Sequence, residues 1–120
     1  MIDFGLCSDY LDSEGNHVEP GPRTDFIGNM ALSSKYAMSF QITSRRDDLI
    51  SLSYLLIFLF RGSLDFIKED DEDNVKLFKI IKQNKIIQTP EKLCEANNCP
   101  FFLDFVKLIH GMEFDEKPDY

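Results

Sequence analysis

Thr43 to Ser63 reads TSRRDDLISLSYLLIFLFRGS, and the reading of this stretch decides the fold. From Asp48 to Phe60 the apolar residues do not keep to one face of a helix. A helix apolar nearly all round is buried in a larger protein or in a membrane. The run Leu49 to Phe60 is about twelve residues long and is interrupted by Ser51 and Ser53, whereas a membrane span needs about twenty. The segment is therefore expected as the central helix of a helical core. Gly62 is its natural stop, since helices commonly end on a glycine in the left-handed conformation.

Three more helices are expected downstream. Asp73 can cap DNVKLFKIIKQNKII, in which Val75, Phe78 and Ile81 are spaced to share one face. Thr89-Pro90-Glu91 supplies a capping hydroxyl, a proline at the first helical position and an acid in the first turn. Pro100 opens a last helix through FFLDFVKLIH, closed by Gly111, with Phe101, Phe105 and Leu108 lining its buried face. Upstream, residues 1–5 read as the end of a strand running into a glycine turn. Residues 7–34, with Gly15, Pro20, Gly21, Pro22 and Gly28, read as a long loop of the kind that carries function.

Composition narrows the function classes. The 120 residues suffice for one domain, and 43% apolar content with eleven Phe argues for a core-forming chain. The net charge of −8 repels phosphate backbones, so nucleic acid is not an expected partner. Much of that charge sits in Glu69-Asp70-Asp71-Glu72-Asp73, read either as a solvated loop or as a docking patch for a basic partner. Cys7, Cys94 and Cys99 are odd in number and lack a C-x-x-C spacing, so free thiols are expected. His17 and His110 stand far apart and offer no zinc pattern. The opening residues carry Asp3 and no basic region, unlike a secretory leader. An intracellular protein, cytoplasmic or nuclear and with no membrane association, is expected.

Five landmarks, in order, resemble the casein kinase I family of serine/threonine protein kinases over essentially the whole chain. Asp3-Phe4-Gly5 matches the kinase Asp-Phe-Gly motif. Ser44 to Leu52 matches the family's S-R-R-D-D-L-E-S-L at eight of nine positions. Gly62-Ser63-Leu64 stands where the family has G-S-L-P-W, the Pro-Trp pair here being Asp65-Phe66. Thr89-Pro90 with Leu93-Cys94 resembles its T-P-x-x-x-L-C, and Phe114 to Tyr120 resembles its F-D-D-K-P-D-Y.

The resemblance implies a mainly α chain, part of the C-terminal lobe of a kinase whose complete fold is two-lobed and α+β. Residues 1–43 would be the Asp-Phe-Gly and activation-loop region, and 44–120 the helical body, truncated at its end. It implies ATP-dependent phosphoryl transfer to Ser or Thr of protein substrates in a complete parent, with Mg²⁺ and ATP as cofactors. Asp3 would be the Mg²⁺ ligand, with Phe4 and Gly5 completing the motif. Asp48 would accept backbone N–H bonds from the catalytic loop, while also favouring its helix as an N-terminal acid by capping and dipole. Arg45 would bind an anion at the substrate groove, or alternatively pair with a neighbouring Asp. No G-x-G-x-x-G and no His-Arg-Asp occurs in the 120 residues, so the chain alone is expected to be inactive.

Departures from the family motivate an alternative: a degenerate kinase remnant or pseudokinase acting as a protein-binding module. Where the family has G-T-A-R-Y-A-S, this chain has Gly28-Asn29-Met30-Ala31-Leu32-Ser33-Ser34, without the Thr and the Arg-Tyr pair. Glu113 and His110 replace basic residues, and His110 is read as structural. Cys7 is expected as a passive buried thiol. Ser33 and Ser34 lie where a kinase is open to phosphorylation.

Overall fold

A long loop leads into four helices in the computed structural model, which describes residues 5–67 and 73–120. These are α1 (Arg45–Arg61), α2 (Asn74–Ile87), α3 (Pro90–Ala96) and α4 (Leu103–His110). Short 3₁₀ turns at Ala37–Ser39 and Pro100–Phe102 precede α1 and α4. The described residues contain no sheet, only the isolated antiparallel bridges Leu11–His17 and Pro22–Gln41. The strand end expected over residues 1–5 lies, apart from Gly5, outside the described residues.

Local chemistry sets the helix ends. Gly62 takes the left-handed conformation at φ 82° and returns its N–H to the Phe58 carbonyl. Asp73 accepts from the Val75 and Lys76 amides to start α2. Thr89 accepts from Lys92 N–H, with Pro90 in the first turn of α3. All three boundary signals are short-range, which is why they are legible without knowledge of the packing.

The core gathers Ile50, Tyr54 and Ile57 of α1, Ile81 of α2, Leu93 and Cys94 of α3 and Val106 of α4, with Met38, Leu64 and Phe66 from the connections. Helix α4 packs on both α1 and α3. Two buried faces differ from expectation. Phe101 and Leu108 are exposed and Phe105 is half-buried, while Val106 and Ile109 fill the core. Both sets have helical spacing, one residue apart. The smaller, aliphatic one fits between α1 and α3, and Phe101 instead stacks edge-on against Phe60 at 4.9 Å. In α2, Ile81 is buried but Val75 is exposed, because the first turn overhangs the core and Lys85, further along, turns inward.

Helix α1 is central, yet only one stripe of it is covered. Ile50, Ser53, Tyr54 and Ile57 are buried, whereas Leu52, Phe58, Leu59 and Phe60 are exposed. The expectation of burial all round is corrected to burial on one face. Ser53 belongs inside because its hydroxyl donates to the Ile50 carbonyl at 2.6 Å. No helix of the described residues is long and apolar enough to cross a membrane.

This division of α1 is measurable. Ile57→Ala should lower stability by about 2–5 kcal/mol through lost burial and a cavity, whereas exposed Leu59→Ala should change it by less than about 0.5 kcal/mol. Urea midpoints of the two variants against the parent chain give the comparison.

Candidate functional site

The loop of residues 28–34 is held down on the N-terminal end of α1 and on the inner face of α2. It starts with Gly28 at φ 135°, where an added Cβ would lie 2.5 Å from the Ser33 hydroxyl. Neither the backbone angle nor the space admits a side chain. Asn29 follows, its side-chain oxygen accepting from the Ala31 N–H at 2.8 Å and the Leu32 N–H at 3.3 Å. This Asx-type turn lets the residue brace its own loop.

Two buried polar groups then anchor the loop. Ser34 donates its hydroxyl to Asp47 and accepts from the Ala37 N–H at 3.1 Å. Asp47 also accepts from the Ser44 N–H at 3.0 Å, which ties up a free donor at the start of α1. Lys85 reaches from α2 to the carbonyls of Met30, Ala31 and Ser33 at 2.9, 2.8 and 2.6 Å. Its ammonium also lies 4.4 Å from the Tyr54 ring centre and 5.1 Å from that of Phe66. Burial draws the Lys85 pKa down to about 7. Three carbonyls facing three N–H donors oppose that shift by favouring the charged form.

The Arg-Arg-Asp-Asp tetrad divides its labour in a way the sequence does not display. Arg46 is buried, with its guanidinium 3.6 Å from the Tyr36 ring centre and 3.6 Å from Asp47. Arg45 points toward the N-terminal loop, stacked 4.5 Å from the Tyr10 ring centre and donating to the Asp115 carbonyl at 3.0 Å. The expected alternative of a salt bridge to a neighbouring Asp is thus replaced by a carbonyl and an aromatic face. Asp48 is exposed and does not cap α1; that work falls to its neighbour Asp47. Partial desolvation, with Asp47 beside it, raises the Asp48 pKa. Arg45 and Asp48 share a cavity of about 180 Å³ with Asp9, Tyr10 and Thr43. An anion entering it meets one guanidinium and two carboxyl groups.

Other expected site residues are distributed as follows. Asp3 and Phe4 lie outside the described residues, as do Glu69 to Glu72 of the acidic run; Gly5 sits in an exposed turn. Among the described residues no three His, Cys, Asp or Glu side chains gather to hold a metal. One carboxylate by itself supplies too few ligands to hold Mg²⁺ tightly. Cys7 is exposed rather than buried, because its loop segment has no covering layer. Cys94 and Cys99 are free and buried. Ser33 and Ser34 are buried, with Ser34 bonded to Asp47, so neither hydroxyl is presented for phosphorylation.

Two departures from the family pattern are accommodated locally. Asp65 accepts from the side-chain amides of Gln88 at 2.8 Å and Asn97 at 2.9 Å, clipping the α1–α2 connection to α3. Phe66 is buried edge-on against Tyr54 at 5.5 Å. His110 stacks edge-on against Tyr54 and shares a 3.2 Å hydrogen bond with the Ser53 hydroxyl. Lys85, Arg46 and Asp47 escaped the sequence reading. A single Lys among four in α2 carries no mark of burial, and the tetrad motif does not say which charge turns inward.

A helical body with a long loop pinned to the start of its central helix is consistent with the C-terminal lobe of a protein kinase. Within that class the chain is homologous, from end to end, to casein kinase I proteins. It is 39% identical over 122 aligned residues to a casein kinase 1-like protein of Oryza sativa subsp. japonica. It is 30% identical to casein kinase I homolog 3 of Saccharomyces cerevisiae and 30% to casein kinase I homolog 2 of Schizosaccharomyces pombe. Each match covers 100% of this chain, which spans 17%, 23% and 28% of the three relatives respectively. No protein-family model matches the chain.

The buried groups make two measurable statements. Lys85→Met leaves three carbonyls without their donor, so stability should fall by about 2 kcal/mol and the amides of residues 31–35 should exchange faster with deuterium. Burial, with Lys35 and Lys85 nearby, lowers the His110 pKa to about 4, against about 6.5 in an unfolded chain. Between those values the unfolded chain takes up a proton that the folded one refuses. The stability from neutral His110 is therefore full above about pH 6.5 and drains away as pH falls toward about 4, by up to about 3 kcal/mol. His110→Gln should flatten that portion of the stability–pH curve relative to the parent.

Proposed function

We propose that this chain is the Asp-Phe-Gly-to-helical-body portion of a casein-kinase-I-like serine/threonine kinase, whose complete form transfers phosphate from Mg-ATP to protein hydroxyls. The observation that carries this reading is the whole-length homology, with the Ser-Arg-Arg-Asp-Asp signature falling at the start of α1. The loop pinned there by Asp47 and Lys85 supports it, since a kinase needs a fixed platform beside its substrate. In this reading residues 1–43 form the motif and activation-loop region and 44–120 the helical body. Asp3 is the metal ligand within the Asp3-Phe4-Gly5 motif. Asp48, with its exposed carboxylate, is free to accept amide N–H groups from the catalytic loop. Arg45, committed to a carbonyl and a ring but to no carboxylate among the described residues, retains its charge for an anionic substrate group.

A second reading, a degenerate kinase used as a binding module, is favoured by Asn29. It stands where the family has a Thr, and its side-chain oxygen is turned to the Ala31 and Leu32 amides of its own loop.

The two readings part in one assay. The 120-residue chain should transfer no phosphate from Mg-ATP to casein. The polypeptide encoded by the complete native transcript should phosphorylate casein, and Asp3→Asn in it should reduce the rate by about a hundredfold or more. A complete polypeptide lacking the strand Lys or the His-Arg-Asp loop, and inert toward casein, would leave the binding-module reading standing.

A further inference from the structure

Helix α3 ends in a turn that brings Cys94 and Cys99 together. Asn98 takes the left-handed conformation at φ 51°. Around it the Cys99 N–H donates to the Cys94 carbonyl at 2.9 Å, and the Asn98 N–H to the Glu95 carbonyl at 3.1 Å. This pair of bonds is a Schellman motif, and a contact between the side chains of its two outer residues frequently accompanies it. Here both outer residues are cysteine. The Cys99 thiol also donates to the Cys94 carbonyl, at 3.6 Å.

The surroundings suit a neutral sulfur pair. Both side chains are buried and belong to the apolar core with Leu93 and Val106. Burial, and after it the neighbouring Cys99, push the Cys94 thiol up to about 11, and burial raises Cys99 as well. Thiolates are disfavoured in such a site, whereas a disulfide carries no charge and no donor to desolvate. Among the described residues no third His, Cys, Asp or Glu completes a metal site with them. The turn also carries Asn97, which donates to Asp65 at 2.9 Å and to the Leu93 carbonyl at 2.8 Å. The thiols therefore flank the clip that ties the α1–α2 connection to α3.

We propose that Cys94 and Cys99 are a reversible modification site, closing a disulfide across the end of α3 with a low-molecular-weight disulfide, oxidised glutathione, as the oxidant. One cysteine loses its proton and its sulfur attacks the glutathione disulfide, releasing one glutathione thiol and leaving a mixed disulfide. The second cysteine then displaces the other glutathione. Two S–H bonds are exchanged for one S–S bond, and two electrons and two protons leave with the two glutathione thiols. Neither sulfur is exposed, so the first step waits on opening of α3, a helix of only seven residues. Slow closure into a stable bond is the signature of this arrangement. The closed bond fixes the turn that holds Asn97, and with it the seat of the α1–α2 connection. The site contains none of Asp3, Arg45 and Asp48, so it is separable from phosphoryl transfer.

The test is mass spectrometry and thermal melting of the 120-residue chain in glutathione buffers of graded redox ratio. The chain carries Cys7→Ser, which removes the exposed thiol. Its mass should fall by two hydrogens, with the bond inside the tryptic peptide 93–107, and dithiothreitol should restore it. The equilibrium constant for closure should be at least about tenfold larger in the folded chain than in the urea-unfolded one. By linkage the oxidised chain should then melt higher than the reduced chain. Adding Cys99→Ala should leave either unreacted thiol or a single glutathione adduct, and never the loss of two hydrogens. Should that variant fail to fold, the ratio of folded to unfolded closure in Cys7→Ser alone decides. The proposal is overturned if the folded chain accumulates glutathione adducts in place of the internal bond. It is equally overturned if folding gives closure no advantage, or if the oxidised chain melts lower than the reduced one.

Discussion

The architecture turns on satisfying charge inside it. Asp47 and Lys85 are both buried, and an unpaired buried charge would be strongly destabilising. Each draws on the same stretch of loop, Asp47 through the Ser34 hydroxyl and Lys85 through the carbonyls of Met30, Ala31 and Ser33. The loop therefore cannot leave without stranding Lys85 and taking one partner from Asp47, which keeps the Ser44 N–H and the Arg46 guanidinium. Conversely, α1 and α2 cannot separate from it without exposing the same groups to an incomplete set of partners. A segment with almost no regular structure is in this way made as much a part of the fold as the helices.

The apolar core follows a different logic. It is continuous from α1 through α3 and α4 but covers only one stripe of α1. The aromatic residues beyond that stripe, Phe58 and Phe60 with Phe101 beside them, are exposed. The contrast between a tightly satisfied polar clamp at one end of α1 and uncovered apolar surface at the other separates the two ends of the helix. Positioning chemistry gathers where the loop lies, and the far end offers mainly apolar area beside Arg61.

Homology and geometry bear on different parts of the functional question. Identity along the whole chain relates it to casein kinase I proteins, yet it spans at most 28% of the length of those relatives. The geometry speaks to what is present: a braced loop and an Arg45–Asp48 cavity of mixed charge. The substitutions at Asp65 and Phe66 are absorbed by new partners, so departure from a family motif here is not equivalent to damage.

How much was legible depended on the range of the interaction. Gly62, Asp73 and Thr89-Pro90 act on atoms within a few residues of themselves, so the amino-acid sequence by itself determined three helix boundaries and the count of four helices. It also determined the family resemblance, because an ordered set of motifs is a linear property. Facing is not linear. Whether Phe101, Phe105 and Leu108 or Val106 and Ile109 point inward depends on which set fits between α1 and α3. The inward turn of Lys85 depends on three carbonyls more than fifty residues away. In the same way Arg46 rather than Arg45 is buried, because the Tyr36 ring of the preceding segment stacks on it. Those choices belong to the tertiary structure, since burial and hydrogen-bond satisfaction are decided by groups that the chain brings together only when it folds.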